Sequence, residues 1–211
     1  MLPLELFVIF STLAATGHSL ICTGCFSPNE DSCTGFPITC PPSYVCASQY
    51  TISIIGGVVM KDFQRLCVPQ NECNVTGSFT LSSLVGKIAT TCCFTDNCSP
   101  ETPKVPDGSS QPNGVWCQQC QEDIASCTGS RVECTGEDTM CLLETQKTTT
   151  GSHTVYRSKR GCASKGFCYK SNMTTDTGGV REEKTYICSG GGLPVMPLLL
   201  IQPLALFLAF Y

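Results

Sequence analysis

Eighteen cysteines in 211 residues limit what this chain can become more than any other feature. In a reducing cytosol they would stay thiols, and clustered thiols there usually serve zinc. Structural zinc sites mix Cys with His or pair two short CxxC knuckles. Cys22-Cys25 and Cys117-Cys120 are such units, but they lie 95 residues apart, each within its own set of cysteines. Of the two histidines, His18 falls in the N-terminal apolar segment, which leaves only His153. The reading is therefore a disulfide framework with no metal.

The N-terminus agrees with an oxidising destination. Leu6 to Ala15 is apolar and too short to span a bilayer. Gly17-His18-Ser19 then supplies small residues at the positions a signal peptidase reads, so residues 1–19 are expected to be a signal peptide and Leu20 the mature start. Glu5 stands where Lys or Arg is usual. The formal charge of −4 offers no basic face for nucleic acid.

The cysteines also reveal an internal repeat. The first set is Cys22, Cys25, Cys33, Cys40, Cys46, Cys67, Cys73, Cys92, Cys93 and Cys98; the second is Cys117, Cys120, Cys127, Cys134, Cys141, Cys162, Cys168 and Cys188. A shift of 94 to 96 residues carries eight of the first set onto the second. Cys93 and Cys98 then fall on Ser189 and Pro194. Losing one member of a bridge strands a thiol, whereas losing both does not, so the repeat itself points to a Cys93–Cys98 bridge. Spacing leaves the other pairings open. Between the copies, residues 101–114 are rich in Pro, Gly and Ser and read as an exposed linker. The expected domains are 20–100 and 115–189.

An apolar core as small as each copy allows rarely holds a domain together alone, and bridges are the usual remedy. Closing a loop of 15 to 20 residues with a disulfide contributes roughly 3 kcal/mol, so the bridges outweigh burial. The fold should be β-rich. Tyr50 to Ile54 alternates, Gly56-Gly57 turns, and Val58 to Phe63 returns, which is a hairpin pattern. The matching span runs Leu143 to Thr149, turns near Gly151, and returns through Thr154-Val155-Tyr156.

The opening Cys22-Thr-Gly-Cys25 and the closing Cys92-Cys93-Phe-Thr-Asp-Asn-Cys98 resemble the lymphocyte-antigen-6/urokinase-receptor domain, the three-finger fold also used by elapid toxins. The tandem arrangement is similar to gamma-type serum phospholipase inhibitors and their two-domain relatives. The resemblance implies a small, disulfide-rich, all-β fold: two tandem three-finger domains. It further implies the pairs Cys22–Cys46, Cys25–Cys33, Cys40–Cys67, Cys73–Cys92 and Cys93–Cys98. In the second copy it implies Cys117–Cys141, Cys120–Cys127, Cys134–Cys162 and Cys168–Cys188. Two departures stand out. Ser99 follows Cys98 where the family usually has Asn, and the second copy lacks the closing bridge.

No catalytic constellation is visible. Paired cysteines leave no thiol nucleophile, and the carboxylates are scattered. The expectation is a binding protein without catalysis or cofactor. Asn74-Val-Thr and Asn172-Met-Thr are plausible glycan acceptors on surface loops; Asn97-Cys-Ser is a poor one. A basic stretch from Lys147 to Lys170 has no acid between Glu144 and Asp176. It is either a docking face or, as we favour, a solvated finger. Ile54, Ile55, Val58 and Val59 would form an apolar hairpin tip and are the candidate ligand contacts, unless the tip packs against the second copy. The equivalent Thr148 to Ser152 is polar.

Leu193 to Tyr211 is apolar and uncharged and follows the small residues Ser189-Gly190-Gly191. That layout suits a glycosylphosphatidylinositol attachment signal over residues 190–211, with Ser189 or Gly190 as attachment point. A transmembrane segment is the alternative, though Pro194, Pro197 and Pro203 make a poor helix. The expected function is recognition of an extracellular protein ligand at the cell surface. The alternatives are a soluble phospholipase inhibitor and a secreted signalling factor.

The repeat predicts unequal bridges. Cys93→Ala with Cys98→Ala should fold and be secreted, since the second copy manages without that pair. Cys40→Ala should be retained in the cell as misfolded protein. Equal retention of both, measured in the medium, would overturn the pairing drawn from the repeat.

Overall fold

A computed structural model describes residues 19–190. The expected signal peptide up to His18 and the expected tail beyond Gly190 lie outside the described residues. The chain divides into two compact units. Among the described residues, unit 1 comprises 19–78, Ser83–Asp107 and Gly166–Asn172; unit 2 comprises Phe79–Ser82, Gly108–Lys165 and 173–190.

Unit 1 is built from β1 (Ile21–Pro28), β2 (Phe36–Thr39), β3 (Tyr44–Ile55), β4 (Val58–Pro69) and, after β5 (Thr76–Leu81), β6 (Leu84–Cys93). The long strands β3 and β4 pair antiparallel along their whole length, from Tyr44↔Pro69 to Ile55↔Val58. β6 adds to the other edge of β3, from Cys46↔Cys93 to Ile55↔Leu84. The turn between β3 and β4 is Gly56-Gly57, with φ of 57° and 84°. A two-residue turn whose twist matches its strands needs positive φ at both positions, and only glycine adopts that without strain.

At the base of these strands the sulfurs meet. Cys22–Cys46, Cys25–Cys33, Cys40–Cys67, Cys73–Cys92 and Cys93–Cys98 are bonded. Cys22, Cys40 and Cys46 are buried, packed by Leu20, Ile38 and Tyr44. The Cys22 and Cys40 sulfurs, from different bridges, touch at 3.1 Å. Neither carries a hydrogen, so this is a packing contact.

A polar row crosses the three strands just above this hub. Gln64 Nε2 donates to Gln49 Oε1 at 2.8 Å, and Gln49 Nε2 donates to Thr90 Oγ1 at 3.1 Å. Gln49 and Thr90 are buried, and each amide finds its partner, as interior polar groups must. Next along, Phe63 is fully buried beside Tyr50. The Tyr50 hydroxyl donates to Asp31 Oδ1 at 2.9 Å; burial, and then that carboxylate, raise its pKa above the usual phenol value.

Unit 2 repeats the plan with β7 (Pro112–Glu122), β8 (Ser130–Thr135), β9 (Met140–Thr150), β10 (His153–Ala163), β11 (Met173–Thr177) and β12 (Val180–Gly190). Here β9 lies between β10 and β12. Cys117–Cys141, Cys120–Cys127 and Cys134–Cys162 are bonded. Cys168, in unit 1, and Cys188, on β12, are each disulfide-bonded too. The β11–β12 turn, Gly178-Gly179 with φ of 60° and 79°, is a second glycine hairpin.

The two units finish differently at the chain entry. In unit 1 the loop closed by Cys93–Cys98 holds the start of β1: Ile21 N–H donates to Asp96 Oδ1 at 2.8 Å and Asn97 N–H to Ile21 O at 2.7 Å. Among the described residues, unit 2 shows no such loop. Asn113 clasps the start of β7 instead, donating from Nδ2 to the carbonyls of Gly136 (2.9 Å) and Asp138 (3.1 Å) and accepting from Val115 N–H at 3.0 Å.

The residues expected as an exposed linker are partly bound. Pro103 is buried, Thr102 Oγ1 donates to Asp31 O at 3.1 Å, Thr91 Oγ1 donates to Glu101 O, and β7 already begins at Pro112. The proline rings there suit a docked extended segment, and composition alone does not tell docked from free.

One pair of glycines was not singled out from the sequence, although both copies print Ser-Cys-Thr-Gly, at Ser32 to Gly35 and Ser126 to Gly129. A Cβ on Gly35 would lie 1.9 Å from Gly24 O, and one on Gly129 would lie 2.1 Å from Gln119 O. Each glycine lets its first-finger bridge close against the opposite backbone. Gly35→Ala and Gly129→Ala should each cost about 3 kcal/mol through forced backbone movement, read as lowered melting temperature. Gly190→Ala, with nothing within 4 Å of the added atom, should leave it unchanged.

Candidate functional site

The paired strands β3 and β4 run well past the hub. From the Cys46↔Cys67 rung to the Ile55↔Val58 rung is nine steps, about 30 Å of extended chain. Near the hub their side chains are buried. Towards the turn the cover runs out, leaving Ile55 45%, Val58 64%, Val59 52% and Met60 40% exposed, with Ile54 half-buried.

Register adds what the sequence reading of the hairpin missed. Ile55 stands opposite Val58 on β4 and Leu84 on β6, and Ile54 opposite Val59 and Val85. Residues directly opposite share a face, and neighbours alternate. The tip is therefore three strands wide and aliphatic on both faces. Leu84 and Val85 could have been suspected from Leu81-Ser82-Ser83-Leu84, a two-residue turn between apolar runs, with Ser82 at φ 50°.

The corresponding tip of unit 2 is polar along Thr148 to Thr150, but its return strand is not. Val155 and Tyr156 on β10 and Val180 on β12 are exposed. Beside them sits an ion network: Lys147 Nζ to Glu183 Oε2 at 3.2 Å and Arg181 Nε to Glu183 Oε1 at 2.7 Å. Those two cations hold the Glu183 carboxyl below its usual pKa.

The basic stretch from Lys147 to Lys170 does not gather into one face. Acids distant in sequence neutralise much of it. Lys147 meets Glu183 from β12, and Arg157 meets Asp123 at 3.1 Å. Arg160 Nε donates to Cys127 O at 2.7 Å. Lys170 is buried within unit 1, 2.9 Å from Glu72 Oε2, while Ser171 N–H donates to Glu72 Oε1 at 3.0 Å. A charge run counted along the chain cannot see partners that the fold delivers from other strands.

The remaining candidates fall as follows. Asn74 is exposed at φ 63° just after Cys73, and Asn172 is exposed just before β11. Asn97 is exposed too, at φ 57°. Ser189 and Gly190 are the last two rungs of β12, opposite Cys141 and Met140. Three groups of three hub sulfurs lie within 4.8 Å of one another. Every one belongs to a disulfide, and a disulfide sulfur has no thiolate to give a metal.

The u-PAR/Ly-6 domain profile matches residues 18–101 and 113–191. Over 165 residues the chain is 27% identical to phospholipase A2 inhibitor NAI of Notechis ater, covering 76% of this chain and 82% of that protein. A 51-residue stretch is 35% identical to protein RoBo-1 of Rattus norvegicus, covering 24% of this chain and only 21% of RoBo-1. Among solved structures, that of mouse TEX101 aligns with 82% of this chain and 98% of its own, at 15% identity and a TM-score of 0.31.

The buried pair gives a prediction. Lys170→Met strands the Glu72 carboxylate in the interior and should cost about 3–5 kcal/mol, seen as a lower urea midpoint. Lys159→Met, from the same basic stretch, should shift it little.

Proposed function

The chain belongs to the u-PAR/Ly-6 domain family, and from that membership we propose that it is a lipid-anchored cell-surface recognition protein. It engages a protein ligand through its β-fingers and catalyses nothing. The reading rests on one observation, the aliphatic tip of β3, β4 and β6, where Ile55, Val58 and Val59 are exposed. Contiguous exposed apolar surface on an extracellular domain tends to mark an interaction site. Ile54, Ile55, Val58 and Val59 anchor the engagement, and Asn74 and Asn172 carry glycans away from it. The domains are 20–100 and 115–189, joined through 101–114. Anchoring follows from the uncharged Leu193 to Tyr211 behind Ser189-Gly190.

A second reading is a secreted phospholipase inhibitor, favoured by the alignment along most of the Notechis ater inhibitor. It needs no anchor, and dose-dependent inhibition of a secreted phospholipase A2 by the ectodomain would support it.

One experiment on intact cells tests the leading reading. The full chain, carrying a peroxidase after residue 19, is expressed and its neighbours are labelled. Phosphatidylinositol-specific phospholipase should release the protein. Ile55→Asp with Val58→Asp should reach the surface at normal levels and lose the labelled ligand. Complete retention after phospholipase would remove the anchor from the proposal, and an unchanged labelled set would move the site off the tip.

A further inference from the structure

The tip has a second property that ligand recognition alone does not require. Behind its two aliphatic rungs, the next rung on the Ile54 face is Ile52 with Lys61 opposite on β4 and Lys87 opposite on β6. Two ammonium groups thus flank the finger on one level. Among the described residues neither lysine enters a salt bridge. Asp62 follows Lys61 but points to the opposite face, by strand alternation.

We propose that this tip anchors the engagement by entering the headgroup layer of a phospholipid membrane, the one in which the protein ligand sits, rather than by filling a pocket in the ligand. This rests on the reading of the fingers as the ligand-engaging surface. Three observations favour lipid as the occupant. First, the end of the ribbon is apolar on both faces, Ile55–Val58–Leu84 on one and Ile54–Val59–Val85 on the other. A protein pocket commonly receives one face, while a lipid layer surrounds an inserted element. Second, the residues are all aliphatic, whereas protein hot spots favour Trp, Tyr and Arg. Third, the depth fits. Val58 to Lys61 is three strand steps, about 10 Å, and interfacial elements bury their apolar part about 5–10 Å into the headgroup boundary. With Val58 in the acyl boundary, Lys61 and Lys87 stand level with the phosphates, their stems along apolar surface and their charged ends in the polar layer.

The test uses the chain from Leu20 to Gly190, which keeps every described strand and every cysteine and omits the apolar tail that would bind lipid by itself. Partition is measured by sedimentation with sucrose-loaded vesicles of phosphatidylcholine alone and of phosphatidylcholine with one-fifth phosphatidylserine. Wild type should bind both, and the anionic vesicles more tightly. Lys61→Gln with Lys87→Gln should lose about 30-fold on the anionic vesicles, as expected for two lysines near such a surface, and little on the neutral ones. Ile55→Asp with Val58→Asp should lose tenfold or more on both, at unchanged melting temperature. Wild type that fails to sediment with either vesicle overturns the proposal, and so do lysine variants that bind anionic vesicles as wild type does. If wild type fails on vesicles while the aspartate variant still loses its labelled ligand on cells, the tip fills a protein pocket; the lipid inference falls and the recognition reading stands. Lipid binding with an unchanged labelled set would instead leave the membrane contact and remove the protein reading from the tip.

Discussion

The hub of sulfurs is the constraint on which the rest of this protein depends. A domain of this size buries only marginally enough apolar surface to offset the entropy of ordering its chain. Crosslinks at one end of the strands restrict the unfolded chain and leave the strands free to run outward. That arrangement separates two tasks. Residues near Cys46 and Cys67 are committed to packing, with Gln49, Thr90, Tyr50 and Phe63 filling the base. About 30 Å along β3 and β4, Ile55, Val58 and Val59 are exposed to solvent and contribute less to packing.

Because the hub bears the stability, substitutions sort by position rather than by chemical severity. An added methyl at Gly35 meets backbone and must move it. Two aspartates at Ile55 and Val58 replace side chains that touch water already. The Lys170–Glu72 pair belongs with the first kind: the two charges face each other with side chains less than a tenth exposed, and the Ser171 amide donates to the carboxylate. The Asn113 clasp shows how a bridge can be dispensed with. Three hydrogen bonds from one amide hold the start of β7, where the first unit uses a closed loop after Cys93.

Much of the architecture was legible in the cysteines and glycines, because both residues act through local covalent or conformational rules. Gly56-Gly57 announced its hairpin, since positive φ at two successive positions is a backbone property readable from the residues themselves. The family profile and the β-strand content carry the three-finger reading. What the sequence did not show was lateral. Leu84 and Val85 join the tip only through the register of β6 on β3, and no periodicity within either segment encodes that alignment. Likewise the stretch Lys147 to Lys170 read as a continuous positive run because Glu183, Asp123 and Glu72 come to it from other parts of the chain. The partly docked linker failed for a related reason: Pro-rich composition describes stiffness, while docking depends on what lies beside it.

The register of β12 carries a consequence for load. It pairs with β9 over eleven rungs, from Val180↔Thr150 to Gly190↔Met140, and Cys188 near its end is crosslinked. A pull at Gly190 directed along the strand axis would load the rungs together in shear instead of parting them one at a time as a peeled zipper does. The covalent crosslink then stops the strand after the first two rungs. Were the chain anchored there, as proposed, this loading geometry would help keep the strands of its second unit paired under tension.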